Sequence, residues 1–223
     1  MKCDLHIHTY YSYDSNALPK DIVDSAIEKG IDCLAITDHD EVKGANEVIE
    51  YAKDKSILII SGIEIKSRDG DILGLNIRKP IPKNLSAEQT IEKIKEQGGL
   101  AIIAHPFGDW HPFKRDLTDL VDKIDGIEIM NASVFIGNKK AQELVKKHDL
   151  AFTVGSDAHH PKFIGRVYLE IPGKNLSIEQ VLEAIRNKNC KVGGKELSLF
   201  EKIIERSARG LIRLTKFFKK NVR

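Results

Sequence analysis

Cysteine is scarce: Cys3, Cys33 and Cys190 are the three in 223 residues, and no Cys-x-x-Cys pair occurs. An odd, scattered set reads as reduced thiols in a reducing compartment. Long apolar runs are also missing. No stretch approaches the roughly 18 apolar residues of a membrane span. The opening Met-Lys-Cys-Asp-Leu-His lacks the apolar core of a secretory signal, so a cytoplasmic location is expected. There is no linker rich in Pro, Gly or Ser, and no repeat at solenoid periods. The absence of a G-x-S-x-G motif, a P-loop or a dinucleotide fingerprint weighs against a serine nucleophile and against ATP or NAD chemistry.

With 41% hydrophobic and 30% charged residues, the chain is neither disordered nor collagen-like. Its net charge of +2 hides a split, because residues 186–223 hold twelve Lys/Arg against three Asp/Glu. An acidic body therefore carries a basic tail, which hints at an anionic partner.

Apolar runs at 3–7, 32–37, 57–63, 72–77, 100–104, 126–130, 151–154 and 166–171 alternate with amphipathic stretches near 18–29, 43–54, 86–97, 136–148 and 177–188. The runs are nearly continuously apolar, as in strands covered on both faces. Ser86 with Gln89 and Ser177 with Gln180 spell capping boxes, and Gly30, Gly98 and Gly99 stand where helices should stop. The alternation predicts an α/β barrel or a doubly wound sheet. Residues 1–190 are expected to form it, with 191–223 as a basic helical extension. Residues 196–222 predict one helix whose stripe of Leu197, Phe200, Ile204, Ala208, Leu211, Leu214, Phe218 and Val222 would pack on the barrel or a second subunit. Its basic face would be left for solvent, a membrane surface or nucleic acid.

Nearly every apolar run ends in candidate metal ligands. The first ends in His6 and His8, with Asp14 close behind; the second in Asp38 and His39; the third in Glu64. The run 100–104 ends in His105, Asn131 closes the sixth, and Asp157 and His159 follow 151–154. In a parallel barrel the carboxyl ends of the strands share one rim, so these residues would meet there. His6 and His8 are two apart on a strand and therefore face the same side.

The series HIHTYYSYD, AITDHD, GIE, AHP, IEIMN and GSDAH resembles the PHP family, the polymerase and histidinol phosphatase superfamily, in the expected order over about residues 1–171. The resemblance implies a distorted seven-stranded (β/α) barrel, TIM-like, with two or three divalent ions (Mn, Zn or Fe, with Mg as an alternative) and hydrolysis of phosphate esters. It implies that His6, His8, Glu64 and Asp157 hold one ion, that Glu64 bridges to a second held by His105, and that Asp14, His39 and His159 hold a third. Where many relatives carry a further histidine, this chain has Asp71. As a ligand, Asp71 would shift the site toward Mn or Mg relative to Zn; otherwise it belongs to an Asp-Gly-Asp turn.

Among catalytic candidates, Glu64 and His105 would act at the ions, and Asp38 would orient a ligand or handle a proton. Arg166 leads the candidates for a phosphate clamp, ahead of Lys162, His160 and Lys139. His111 could serve as a leaving-group acid and Trp110 as a stacking platform. The expected substrate is a small phosphomonoester or nucleotide. The alternatives are an oligonucleotide, reached with the help of the basic tail, or a non-catalytic RNA-binding role like that of a ribonuclease P subunit.

Overall fold

The computed structural model describes residues 1–109 and 111–221, so Trp110 and Val222 lie outside the described residues. In chain order the elements are β1 (Lys2–Ile7), α1 (Pro19–Glu28), β2 (Cys33–Ile36), α2 (Lys43–Ala52), β3 (Leu58–Lys66), β4 (Asp71–Leu75), α3 (Ala87–Glu96), β5 (Leu100–Ile103), β6 (Gly126–Asn131), α4 (Asn138–His148), β7 (Phe152–Gly155), β8 (Val167–Glu170), α5 (Ile178–Arg186), β9 (Lys191–Gly194) and α6 (Leu199–Asn221). Both expected capping boxes form, with Ser86 and Ser177 each accepting from the backbone N–H three residues on. Gly30 and Gly98 take the left-handed conformation that ends a helix, at φ 66° and 74°.

The strands make one sheet in the order β7-β6-β5-β4-β3-β2-β1-β8-β9. Its far edge curls back on β1: Ile7 bridges Ala158, just past β7, and the His8 N–H donates to the Ala158 carbonyl at 3.0 Å. The result is a nearly closed α/β barrel. Leu5, Ile7, Leu34, Ile36, Ile60, Ile63, Ile65, Ile72, Leu73 and Leu75 are fully buried in its core, each worth roughly 1.5–3 kcal/mol of burial.

The strand count departs from the expected seven, because the described residues contain nine. β8 pairs antiparallel with β1, and β9 with β8. β9 reads Lys-Val-Gly-Gly and is mostly exposed, so it carries no apolar run to betray it. β4 also runs antiparallel to both neighbours. No helix among the described residues is long and apolar enough to cross a membrane.

The final helix forms where the periodicity places it but is turned over. Phe200, Ile204, Leu211 and Phe218 are exposed rather than buried on the barrel, at 71%, 46%, 65% and 61%. Of the expected stripe, Leu197 alone among the described residues is buried. Lys202 and Glu205 are buried instead. Lys216 Nζ donates to the carbonyls of Tyr10, Ser12 and Ser15 at 2.7, 2.8 and 2.6 Å. The barrel mouth is lined with carboxylates and carbonyl oxygens, so it takes the basic face of the helix.

Candidate metal centre

Five imidazoles and three carboxylates from six separate chain segments converge at one rim. His6 and His8 leave the end of β1, His39 follows β2, and Glu64 sits in β3. His105 follows β5, while Asp157 and His159 follow β7. Asp14 comes from the loop between β1 and α1. Glu64 is central: its Oε1 lies 3.0 Å from His105 Nε2. Its Oε2 lies 2.9 Å from His39 Nδ1 and 3.4 Å from the Nε2 atoms of both His6 and His8. Asp157 Oδ1 is 3.2 Å from His8 Nε2 and 3.6 Å from His6 Nε2. Asp14 Oδ1 is 3.4 Å from His39 Nε2 and 3.2 Å from His159 Nε2.

Other groups fix the imidazole orientations. Glu128 Oε1 accepts from His6 Nδ1 at 2.9 Å, and the Asp157 carbonyl accepts from His159 Nδ1 at 2.9 Å. Ser12 Oγ donates to Asp38 Oδ1 at 2.7 Å and accepts from His8 Nδ1 at 3.0 Å. Each ring thereby spends its Nδ1–H on a neighbour and turns its Nε2 lone pair inward. The Nε2 atoms of His6, His8, His39 and His159, together with Asp14 Oδ1, are among the side-chain atoms buried without a hydrogen-bond partner. Polar atoms are rarely buried in that state unless a ligand meets them. Three triads, His8–His39–His159, His6–Glu64–His105 and His6–His8–Asp157, each bring their donor atoms within 4.8 Å of one another. Mixed imidazole and carboxylate donors suit Zn, Mn or Fe, so the residues present fit divalent cations.

The electrostatics agree. Burial opposes ionisation of Glu64, Asp14 and Asp157, yet the surrounding histidines hold all three carboxyls well below the usual range; Arg209 adds to the effect at Asp157. Burial also opposes charge on His105, but the hydrogen bond and charge of Glu64 prevail and raise it to about 9. Carboxylate charges likewise lift His6 and His39, whereas burial and the neighbouring His159 and His39 push His8 down. Protons and cations compete here for the same nitrogens.

The remaining expected residues divide. Asp38 is buried and accepts from Thr9 N, Thr9 Oγ1 and Ser12 Oγ, all at 2.7 Å, so it reaches His8 through Ser12. Asp71 lines the cavity over the cluster, where burial and the charge of Glu64 raise it to about 6. His111 lines the same cavity. Arg166 stands apart: its Nη2 donates to Glu201 at 3.0 Å and to the Glu196 carbonyl at 3.2 Å.

Sequence reasoning passed over several groups. Glu128 holds His6 and also accepts the His105 backbone N–H at 2.9 Å, in a backbone turned to φ 26°. Its one signal was a lone glutamate inside an apolar strand. From α6, Arg209 Nη2 donates to Asp14 Oδ2 at 3.2 Å, and its Nη1 lies 3.6 Å from Asp157 Oδ2. Arg206 pairs with Asp109, and Arg213 lies over the Tyr13 ring at 5.2 Å. Tyr13 in turn stacks on His39 at 4.6 Å between centroids. The three arginines and Gly210 close the helix side of a cavity of about 110 Å³, whose opposite wall is the cluster itself.

The chain is similar to known proteins in sequence and in fold. An uncharacterized protein of Methanocaldococcus jannaschii is 43% identical over 144 residues, 59% of this chain and 82% of its own length. The "Probable histidinol-phosphatase" of Thermotoga maritima is 27% identical over 236 residues, 87% of this chain and 97% of its own length. A two-domain protein from Bacteroides vulgatus, described as containing a predicted PHP-like metal-dependent phosphoesterase, superposes with a TM-score of 0.75 at 23% identity. That match covers 88% of this chain but 65% of the Bacteroides protein, and it bears on the fold. The PHP domain model matches residues 4–220, running from β1 through α6, and this chain belongs to the PHP domain family.

Proposed function

We propose that the chain is a metal-dependent phosphoesterase acting on a small phosphomonoester. The observation that carries this reading is Glu64, whose two oxygens are divided between His105 on one side and His6, His8 and His39 on the other. A carboxylate so placed is built to share its charge between neighbouring cations. On this reading His6, His8, Glu64 and Asp157 would hold one ion, Glu64 and His105 a second with Asp71 beside them, and Asp14, His39 and His159 a third. Divalent cations there supply Lewis acidity toward water and phosphoryl oxygens, and no protein nucleophile is needed.

The chain's own residues do the rest. Glu128, the Asp157 carbonyl and the Asp38–Ser12 pair hold three histidines with Nε2 inward. Asp38 therefore acts as an orienting group. Helix α6 restricts access to the cluster, and a cavity of about 110 Å³ is small beside the roughly 300–1,000 Å³ of sites for drug-sized ligands. That favours a compact substrate over an oligonucleotide threading the rim. The full ligand set weighs against a purely RNA-binding role.

A substrate panel with Mn-loaded protein tests the proposal. It should compare sugar phosphates, histidinol phosphate, nucleoside monophosphates and short oligonucleotides. Turnover of one or more monoesters, lost on chelation, is expected. Turnover confined to oligonucleotides, or activity indifferent to chelation, would overturn it.

A further inference from the structure

Helix α6 presents a row of residues that the cation-binding chemistry leaves unused. Arg206, Gly210 and Arg213 are spaced by four and three, so they lie along one helical face. All three line the cavity over the metal-ligand cluster. Gly210 is the odd member. A mid-helix glycine is less favourable than alanine, and this one is not required by packing, since a Cβ placed there meets no atom within 4 Å. It leaves an opening between two guanidinium groups.

The walls of that opening are held in place. Arg206 is paired with Asp109 and lies over the Phe135 ring at 4.4 Å. The Arg213 guanidinium carbon lies 5.2 Å from the centre of the Tyr13 ring, and Tyr13 stacks on His39 at 4.6 Å. A guanidinium stacked on a ring keeps its N–H edge in its own plane, where it suits a two-oxygen acceptor. Between them Arg209 is anchored to Asp14 and Asp157, which fixes the height of the helix over the cluster.

We propose that Arg206, Gly210 and Arg213 form an anion slot that receives a second anionic group of the substrate, a phosphate or a carboxylate, while the metal cluster takes the scissile phosphate. The inference rests on the phosphoesterase reading and narrows it to compact metabolites bearing two anionic groups. The two groups must be separated by few atoms, because cluster and slot share one small cavity.

The test is calorimetric binding to the Mn-loaded full-length protein. The probes are propylphosphonate, then diphosphonates joined by one, two or three carbons, and 3-phosphonopropionate. Wild type should bind at least one two-headed probe ten-fold or more tighter than propylphosphonate. The diphosphonate and phosphonopropionate arms tell a phosphate from a carboxylate. Diphosphonates also chelate cations, so the variants decide: Arg213→Met, Arg206→Met and Gly210→Leu should each bring the ratio of affinities toward one. Arg213→Lys, which keeps the charge, should retain part of the preference. A wild-type ratio near one, or a preference that survives all three variants, would overturn the slot. Metal content and hydrolysis of p-nitrophenyl phosphate, which has one anionic group, are measured on wild type in parallel. Their failure alongside an intact preference would sink the phosphoesterase reading and leave the slot standing.

Discussion

Arg209 donates to Asp14 Oδ2 at 3.2 Å, the oxygen that faces away from His39 and His159, whose Nε2 atoms approach Oδ1. Asp157 is divided in the same way. Its Oδ1 faces His8 at 3.2 Å, and its Oδ2 accepts from Ser133 at 2.7 Å and faces Arg209 at 3.6 Å. The last helix and the proposed cations therefore address different oxygens of the same two carboxylates. Docking of α6 is compatible with a loaded cluster.

Glu128→Gln is expected to weaken metal binding by about 10- to 100-fold, the usual cost of losing a group that orients a liganding histidine. The amide can still accept from His6 at one atom. The other then presents N–H groups to the His105 N–H and Asn131 Nδ2, which now donate to Glu128 Oε2 at 2.9 and 3.2 Å. Metal titration followed by a chelator checks this, with circular dichroism to confirm an intact fold. Wild-type affinity in the variant would remove the orienting role.

Glu64→Gln should lower metal content and cut turnover by about 100-fold or more, while the side-chain shape is kept. Metal analysis and kinetics on the same sample test it; a metal-depleted variant with wild-type turnover would refute the bridging role. Asp71→Ala is the finer probe. If Asp71 is a ligand, the variant loses one ion selectively, and if it only begins β4 and lines the cavity the stoichiometry stays as it was.

The orientation of α6 makes a pair of opposed expectations. Leu211→Ser and Phe218→Ser alter side chains that are 65% and 61% exposed, so each should change stability by less than about 0.5 kcal/mol. Lys216→Ala removes a cation that donates to three carbonyls and should cost about 1–2 kcal/mol. Denaturant unfolding of the three variants decides. The reverse ranking would mean that the apolar stripe, not the basic face, is what the helix buries.

Burial, with a smaller contribution from Cys3, pushes the Cys190 thiol up to about 11. At pH 8 its thiolate fraction should therefore be roughly 100-fold below that of an ordinary thiol. Iodoacetamide labelling of Cys190, followed by peptide mass spectrometry, should quicken about ten-fold per pH unit up to pH 10 and level off past 11. Labelling at pH 8 as fast as free cysteine would contradict the burial.

The ligand cluster was legible because strand ends in a barrel share a rim. Positions such as His6, His8, His39, Glu64 and His105 needed only their apolar runs to be placed. Glu128 was not legible, because its role depends on the His6 ring of β1 and the backbone N–H of His105 after β5, which meet it only once the sheet has curled round. The face of α6 was misread for a related reason. Periodicity locates an apolar stripe at Phe200, Ile204, Leu211 and Phe218, but which face is buried depends on the surface it meets. That surface, assembled from Asp14, Asp157 and the carbonyls of Tyr10, Ser12 and Ser15, is polar. Arg166 went the same way: its position after GSDAH was right for a clamp, but Glu201 of α6 holds it.

Because α6 grips the barrel through Lys202, Arg206, Arg209 and Lys216 while its apolar side already faces water, lifting it from the rim differs from ordinary unfolding. The surface uncovered would be mainly charged and amide in character, and polar exposure lowers heat capacity where apolar exposure raises it. Such a step would carry a small or negative heat-capacity change. Ionic strength rather than cooling would promote it, since salt screens the contacts that hold the helix down. Were α6 to lift, access to the cavity would rise with the salt concentration of the medium.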